Sequence, residues 1–229
     1  MTRFSEFKNG CLSEFPLQLG VFPFGLAFGI LGVESGLSHL QTLLLSSIVF
    51  AGASQIVFAQ LAATLTPASV IIGTVAVVNL RHILYGISLS QYLKKLSLRW
   101  RLLLAYLITD EAFAVSYKRF SENTTSENMH YHLLGSGLTL WLSWQSATFL
   151  GIYVGPFIPD ALNLEFAIPL TFIAIVAISI KDKPRLAVFF ISGLMALVLR
   201  ELPWNLWIIG SSLIAIFCGM VLSNKRKHT

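Results

Sequence analysis

Apolar runs of membrane length, separated by short polar or basic stretches, recur along almost the whole chain. Their spacing predicts segments at about Phe15–Val33, Leu40–Ala63, Ala68–Ser90, Leu102–Tyr117, Leu133–Val154, Leu164–Ile180, Leu186–Leu199 and Trp204–Leu222. A helix needs about 20 apolar residues to cross a bilayer. The runs are continuous rather than alternating, which argues for helices and against a β-barrel. The predicted class is therefore an all-α polytopic membrane protein with seven or eight transmembrane segments. The fourth run is short and has Asp110 and Glu111 inside it, so a discontinuous or re-entrant segment is expected there. Met1 to Glu14 is polar and no small-residue cleavage pattern follows the first apolar run, so no cleavable signal peptide is expected.

Composition agrees with the pattern. The chain has 229 residues, 55% hydrophobic and 12% charged, with mean hydropathy +0.73. Soluble domains carry roughly 25% charged residues, so half that level leaves too little polar surface to face water. The formal net charge of +5 is not a nucleic-acid signal, because the Lys and Arg sit in short clusters between apolar runs, as in cytoplasmic loops. Cys11 and Cys218 lie at opposite ends of the chain and suggest neither a disulfide framework nor a metal site. Residues 1–229 read as one membrane domain, split by the polar stretch Lys118–His132 into a motif-rich first half, 15–117, and a second half, 133–222.

The polar groups inside the apolar runs are the candidate chemistry. Charged and amide side chains at bilayer depth are expensive, and they are usually buried in protein or face a water-filled cavity. Asn79, Arg81 and His82 lie near the middle of the third run. At about 100° per residue, Asn79, His82, Gly86 and Ser90 share one face, and Arg81, Tyr85, Ser88 and Tyr92 a nearly opposite one. Such a helix is expected to be enclosed by protein or unwound near Asn79. In the second run Gly52, Gln55, Ala59 and Ala62 share a face, so Gln55, beside Ser54, points at a neighbouring helix or a cavity. In the first run, Gly25 and Gly29 form a small-xxx-small pair suited to close packing. The Phe22–Gly25 step around Pro23 reads as a kink or break, which leaves open an interrupted helix lending backbone groups to a site. Trp141, Gln145 and Thr148 share a face of the fifth run, for packing or cavity lining.

Pro23 to Gly29 (PFGLAFG), Phe50 to Gln55 (FAGASQ), Asn79 to Ser88 (NLRHILYGIS) and Asp110 to Phe113 (DEAF) together resemble the AzlC family, the large subunits of bacterial branched-chain amino acid exporters. The resemblance is densest from about Phe15 to Gly155. It implies a bacterial inner-membrane transporter that exports branched-chain amino acids with a small AzlD-like membrane subunit. A branched-chain amino acid is a zwitterion with an apolar tail. Arg81, Asn79 or backbone N–H groups at a broken helix near Pro23 offer donors for its carboxylate. Asp110 or Glu111 offers a partner for its ammonium, and Phe, Leu and Ile side chains offer a pocket for the tail. Asn79 and His82 are expected to face the cavity. Arg81 either does so too or locks helices together by pairing with Asp110 or Glu111. Proton coupling is expected to rest on His82, with its unperturbed pKa of about 6.5, and on the two acids.

A passive channel or a non-conducting assembly subunit is the alternative function. An intramembrane enzyme is not supported, since no His-Glu-x-x-His or Gly-x-Ser-x-Gly pattern is present. No nucleotide-binding loop, cofactor site or metal site is expected. With all eight runs spanning and the N-terminus inside, about ten Lys and Arg fall inside and about five outside. With the fourth run not crossing and the N-terminus outside, the bias becomes about twelve to three. The second arrangement also suits an inverted repeat of segments one to three and five to seven, hinted at by the echo of Phe28–Ile48 in Phe149–Ile173. Both arrangements put the C-terminus in the cytoplasm.

Overall fold

The computed structural model describes residues 2–121, 128–157, 180, 183–203 and 206–226, and every regular element among them is helical. The chain opens with α1 (Arg3–Glu14), a single 3-10 turn at Phe15–Leu17, and α2 (Gln18–Glu34). Thr2 caps α1 by accepting the Ser5 N–H at 3.2 Å. The polar sequence before Phe15, expected to lie outside the apolar segments, is thus helical. Its polarity is turned inward. Glu6, Gly10 and Glu14 recur every four residues on the buried face, while Phe4, Leu12 and Phe15 are exposed. Of the kink or break expected at Pro23, the break does not occur: α2 runs through it. A proline costs one backbone hydrogen bond and is tolerated in membrane helices that pack against neighbours.

The rod from Arg3 to Glu34 packs along α8 (His130–Val154), and the two run parallel. Gly10 lies against His132, Gly25 against Trp144 and Ala147, and Gly29 against the Thr148 carbonyl and Gly151. A Cβ at Gly25 would come within 2.9 Å of the Ala147 methyl. These glycines are absent side chains that let the backbones close up. Their approach defines a near end, where α1 and α8 begin, and a far end.

Two helical hairpins enter from opposite ends. α3 (His39–Ile48) starts at the far end and runs antiparallel to α8, with His39 beside Tyr153 and Ser46 bonded to Thr148. A capping box starts it: Gln41 N–H donates to Ser38 Oγ, and Ser38 N–H donates to Gln41 Oε1. After an irregular step at Val49–Ala51 the chain turns back as α4 (Gly52–Ala63). α5 (Ala68–Leu93) then runs unbroken from the far end to the near end. From there α6 (Leu98–Leu107) climbs parallel to α8, with Trp100 beside His130 and Leu107 against Gly137. It stops at Ile108–Thr109, and α7 (Asp110–Ser121) descends to the near end, where Arg119 meets Glu6 at 2.6 Å. Tyr85 stacks on Phe113 and Tyr92 packs on Phe120, so α5 and α7 run side by side in the same direction.

These directions correct the expected topology. The second apolar run is a hairpin rather than a single span, and the fourth is re-entrant from the near end. The cluster Lys94–Arg101 therefore shares an end with Arg3, Lys8, Lys118 and Arg119, which neither charge count assumed. Helix direction inverts between two adjacent units, α2 with the α3–α4 hairpin and α5 with the α6–α7 hairpin. The repeat expected from sequence includes 164–180, of which all but residue 180 lies outside the described residues, together with most of the loop at 155–163. Nor is α5 unwound or enclosed all round. At about 100° per residue, Arg81 and Tyr85 lie about 110° from Asn79 and His82, so both pairs fit on the inner half. Leu80, Ile83, Leu84 and Ile87 form an exposed apolar stripe opposite.

Among the described residues two stretches of helix are long and apolar enough to cross a membrane, Arg3–Glu34 and Ala68–Leu93. Later in the chain, α9 (Lys183–Leu199) and α10 (Trp207–Arg226) pair antiparallel, with Gly210 facing Leu199 and Gly219 facing Val188.

Candidate functional site

Each hairpin leaves backbone groups without helical partners at its turn, and such groups must be satisfied or exposed to water. At the first turn the carbonyls at the end of α3 are met by side chains. Gln55 Nε2 donates to the Ser46 carbonyl at 3.4 Å and to the Val49 carbonyl. Gln145 Nε2 also donates to Ser46 O, at 3.1 Å, and Tyr106 Oη donates to the Ser47 carbonyl. Trp144 Nε1 reaches Gln55 Oε1 at 3.2 Å, and Trp141 Nε1 reaches Tyr106 Oη at 2.8 Å. Gln55, fully buried, is the staple of this tip. Gly52 allows the tip to close on α8, since a Cβ there would sit 2.6 Å from the Trp144 ring.

The second turn is capped locally. Thr109 Oγ1 accepts the Ala112 N–H at 3.3 Å and Thr109 O accepts the Phe113 N–H at 2.9 Å. Asp110 and Glu111 then occupy the first turn of α7, where the helix dipole favours negative charge.

The two tips meet at a cavity of about 60 Å³. By the same measure a water needs about 10–15 Å³, so roughly five would fit. One wall is polar: Arg81 and His82 from α5, and Thr109, Asp110 and Glu111 from the second tip. The opposite wall is apolar, with Val21 and Phe24 from α2, Phe50 at the first tip, and Leu140 and Trp144 from α8. Trp144 stands edge-on to Phe24 at 5.2 Å and stacks on Phe28. The α4 N-terminus opens on this space with no side-chain cap.

Charge in the polar wall is arranged around Asp110. Arg81 Nη1 lies 2.5 Å from Asp110 Oδ2, and Tyr85 Oη donates to Asp110 Oδ1 at 2.5 Å. Arg81 Nε and His82 Nδ1 are buried without a hydrogen bond of normal geometry. Thus Arg81 both pairs with the acid and faces the cavity, the two roles that had stood as alternatives. Asn79 does not face the cavity. Its Oδ1 accepts from Ser54 Oγ at 2.7 Å and joins α5 to α4. Ser54, Gln55 and Tyr85 likewise stand behind the walls. Among the described residues no group of three or more His, Cys, Asp or Glu could hold a metal ion.

Sequence reasoning missed Thr109, the apolar wall and Glu14. The Thr-Asp-Glu run is itself a helix-start signal, an N-cap followed by acids in the first turn. Glu14 and Gln18 extend the four-residue spacing of Glu6 and Gly10, a stripe visible in the sequence.

Over residues 16–158 the chain matches the sequence model of a family described as AzlC protein. It is 29% identical over 229 residues to the inner membrane protein YgaZ of Escherichia coli strain K12, covering 95% of this chain and 87% of that one. It is 32% identical over 155 residues to an uncharacterized membrane protein of Archaeoglobus fulgidus, 68% of this chain and 65% of the other. It is 25% identical over 181 residues to the branched-chain amino acid transport protein AzlC of Bacillus subtilis strain 168, 76% of this chain and 70% of that protein. No solved structure matches. The family-matched range takes in α2, both hairpins, α5 and α8.

Proposed function

The chain belongs to the AzlC family, and from that premise we propose that it is the large subunit of a secondary transporter exporting branched-chain amino acids from a bacterial cell. The observation that carries this reading is the convergence of two oppositely inserted hairpin tips on one cavity with a charged wall and an apolar wall. Irregular backbone at membrane depth is tolerated only where it is buried or lines a cavity, and transporters place substrate at such interruptions. A zwitterion enters by exchange: its carboxylate takes Arg81 from Asp110, and its ammonium takes the released Asp110. The apolar side chain lies against Phe24, Phe50 and Trp144. The cavity is too small for leucine as it stands, so the tips part when substrate binds.

Direction and topology follow the charges. The near end carries Arg3, Lys8, Lys94, Lys95, Arg99, Arg101, Lys118 and Arg119, and we place it in the cytoplasm. If the apolar run 164–180 crosses once, as its composition predicts, the basic residues at 181–185 and 225–227 join that side. Only Arg81, in the core, and Arg200 are then excepted, and the C-terminus is cytoplasmic. A small AzlD-like subunit is the expected partner, with the Leu80–Ile87 stripe facing it or lipid.

The test is efflux of preloaded leucine, isoleucine, valine and methionine from vesicles bearing the chain, with and without the small subunit. Efflux of none of them would overturn the substrate assignment. Movement only down the substrate gradient under every imposed ion gradient would instead support a channel.

A further inference from the structure

Among the described residues Glu14 is in no ion pair. It is completely buried on the inner face of α1, where its chain meets the 3-10 turn. One oxygen, Oε1, accepts from Gln18 Nε2 at 3.2 Å, while Oε2 has no hydrogen-bond partner. Gln18 Oε1, on the next turn, is also buried without a partner. Orphan acceptors on two groups already joined by one hydrogen bond are what a missing hydrogen leaves behind. A carboxylate in that position costs the full desolvation of an unpaired charge, whereas a carboxylic acid carries a donor of its own.

The charged groups around Glu14 are few. Glu111, in the cavity wall on α7, acts on Glu14 through its charge, and Asp110 and Arg81 line the same wall. Toward the near end Glu6 is already committed to Arg119. α8, packed along the same face, has no ionisable residue between His132 and Tyr153. Two interacting carboxyls with no cation between them hold a proton jointly.

We infer that Glu14 holds a proton in this structure and is the proton carrier of the transport cycle, exchanging that proton with the cavity through Glu111. This rests on the transporter reading above. In the exchange the O–H bond of Glu14 breaks as one forms on the Glu111 carboxylate, so the negative charge passes from Glu111 to Glu14. From Glu111 the proton reaches water or substrate in the cavity. Glu14 stands one layer behind the cavity wall and does not touch substrate.

The experiment compares wild type, Glu14→Gln and Glu14→Asp, each full-length chain reconstituted with the small subunit in proteoliposomes. With one proton moved per substrate, a gradient of one pH unit drives about tenfold leucine accumulation by the wild type. Glu14→Gln is expected to exchange labelled leucine within about twofold of wild type but to lose that accumulation, while Glu14→Asp keeps it. Full pH-driven accumulation by Glu14→Gln would overturn the inference. An infrared difference spectrum gives a readout that needs no transport: the protonated-carboxyl band of the wild type should be missing from Glu14→Gln. An unchanged band overturns the inference too. Failure of the wild type to exchange leucine would count against the substrate reading and leave the infrared result to judge Glu14.

Discussion

Phe50–Ala53 and Thr109–Glu111 hold equivalent places at the turns of two hairpins, yet the first has no ionisable group and the second has two. The first tip is held by side-chain hydrogen bonds to its carbonyls, from Gln55 on its own return arm and from Gln145 and Tyr106 on other helices. Its cavity face is left as bare backbone and a phenyl ring. The second tip is capped from within by Thr109, and its outward contacts are the charged ones, Arg81 and Tyr85 to Asp110. One tip is fixed by its surroundings and the other is fixed by a pair that substrate can compete for. The difference assigns shape to the first and switching to the second.

The hardest way to break this contrast is Asp110→Asn. It leaves Arg81 facing the cavity without its carboxylate, and because the pair is only half-buried the cost is about 1–3 kcal/mol. Leucine efflux should fall to background, with a lower melting temperature in detergent. Exchanging the two residues, Arg81→Asp with Asp110→Arg, should recover the melting temperature and leave efflux at background. Recovery of both would reduce the pair to a structural lock.

Gln55→Leu is the matching test of the first tip. It strips partners from the Val49 carbonyl and the Trp144 indole N–H, each about 1–3 kcal/mol when buried. The expected result is a lower melting temperature with the leucine concentration for half-maximal efflux little changed. A large change in that concentration would mean that the first tip also senses substrate.

Gly52→Ala sharpens the shape argument. The added methyl would press on the Trp144 ring from 2.6 Å and cost about 1–3 kcal/mol as overpacking. Adding Trp144→Leu should restore part of the stability, and a double variant no better than Gly52→Ala would remove the contact from the account. The smallest effect belongs to Ser54→Ala, which loses one hydrogen bond to Asn79, about 1 kcal/mol. Efflux should stay within about threefold of wild type.

What the sequence disclosed divides along the same line. Charges inside an apolar run are conspicuous, so Arg81, His82, Asp110 and Glu111 could be read directly, and the break beside Asp110 could be expected. The first hairpin could not, because both of its arms and a single span have the same apolar composition. Hydropathy records depth in the membrane but not direction of travel. Only small residues at Ala51–Ala53 mark the reversal, and small residues mark close packing just as often. Asn79 was misplaced for a related reason: a helical wheel gives angles between side chains, and the position of the neighbour decides which angle counts as inside. The polar start of the chain was missed because it breaks the usual rule of a polar exterior. In α1 Glu6 and Glu14 face in while Phe4 and Leu12 face out.

The bridge between Arg119 and Glu6 gives the second hairpin the mechanics of a lever. α7 is pinned near its base at Arg119, and Asp110 at its tip, nine residues earlier, lies about 14 Å from that fulcrum at 1.5 Å per residue. A tilt of about 12° at the pin then carries Asp110 through about 3 Å, roughly the width of one hydrogen bond. A displacement of that size separates Asp110 from Arg81 while the base barely moves.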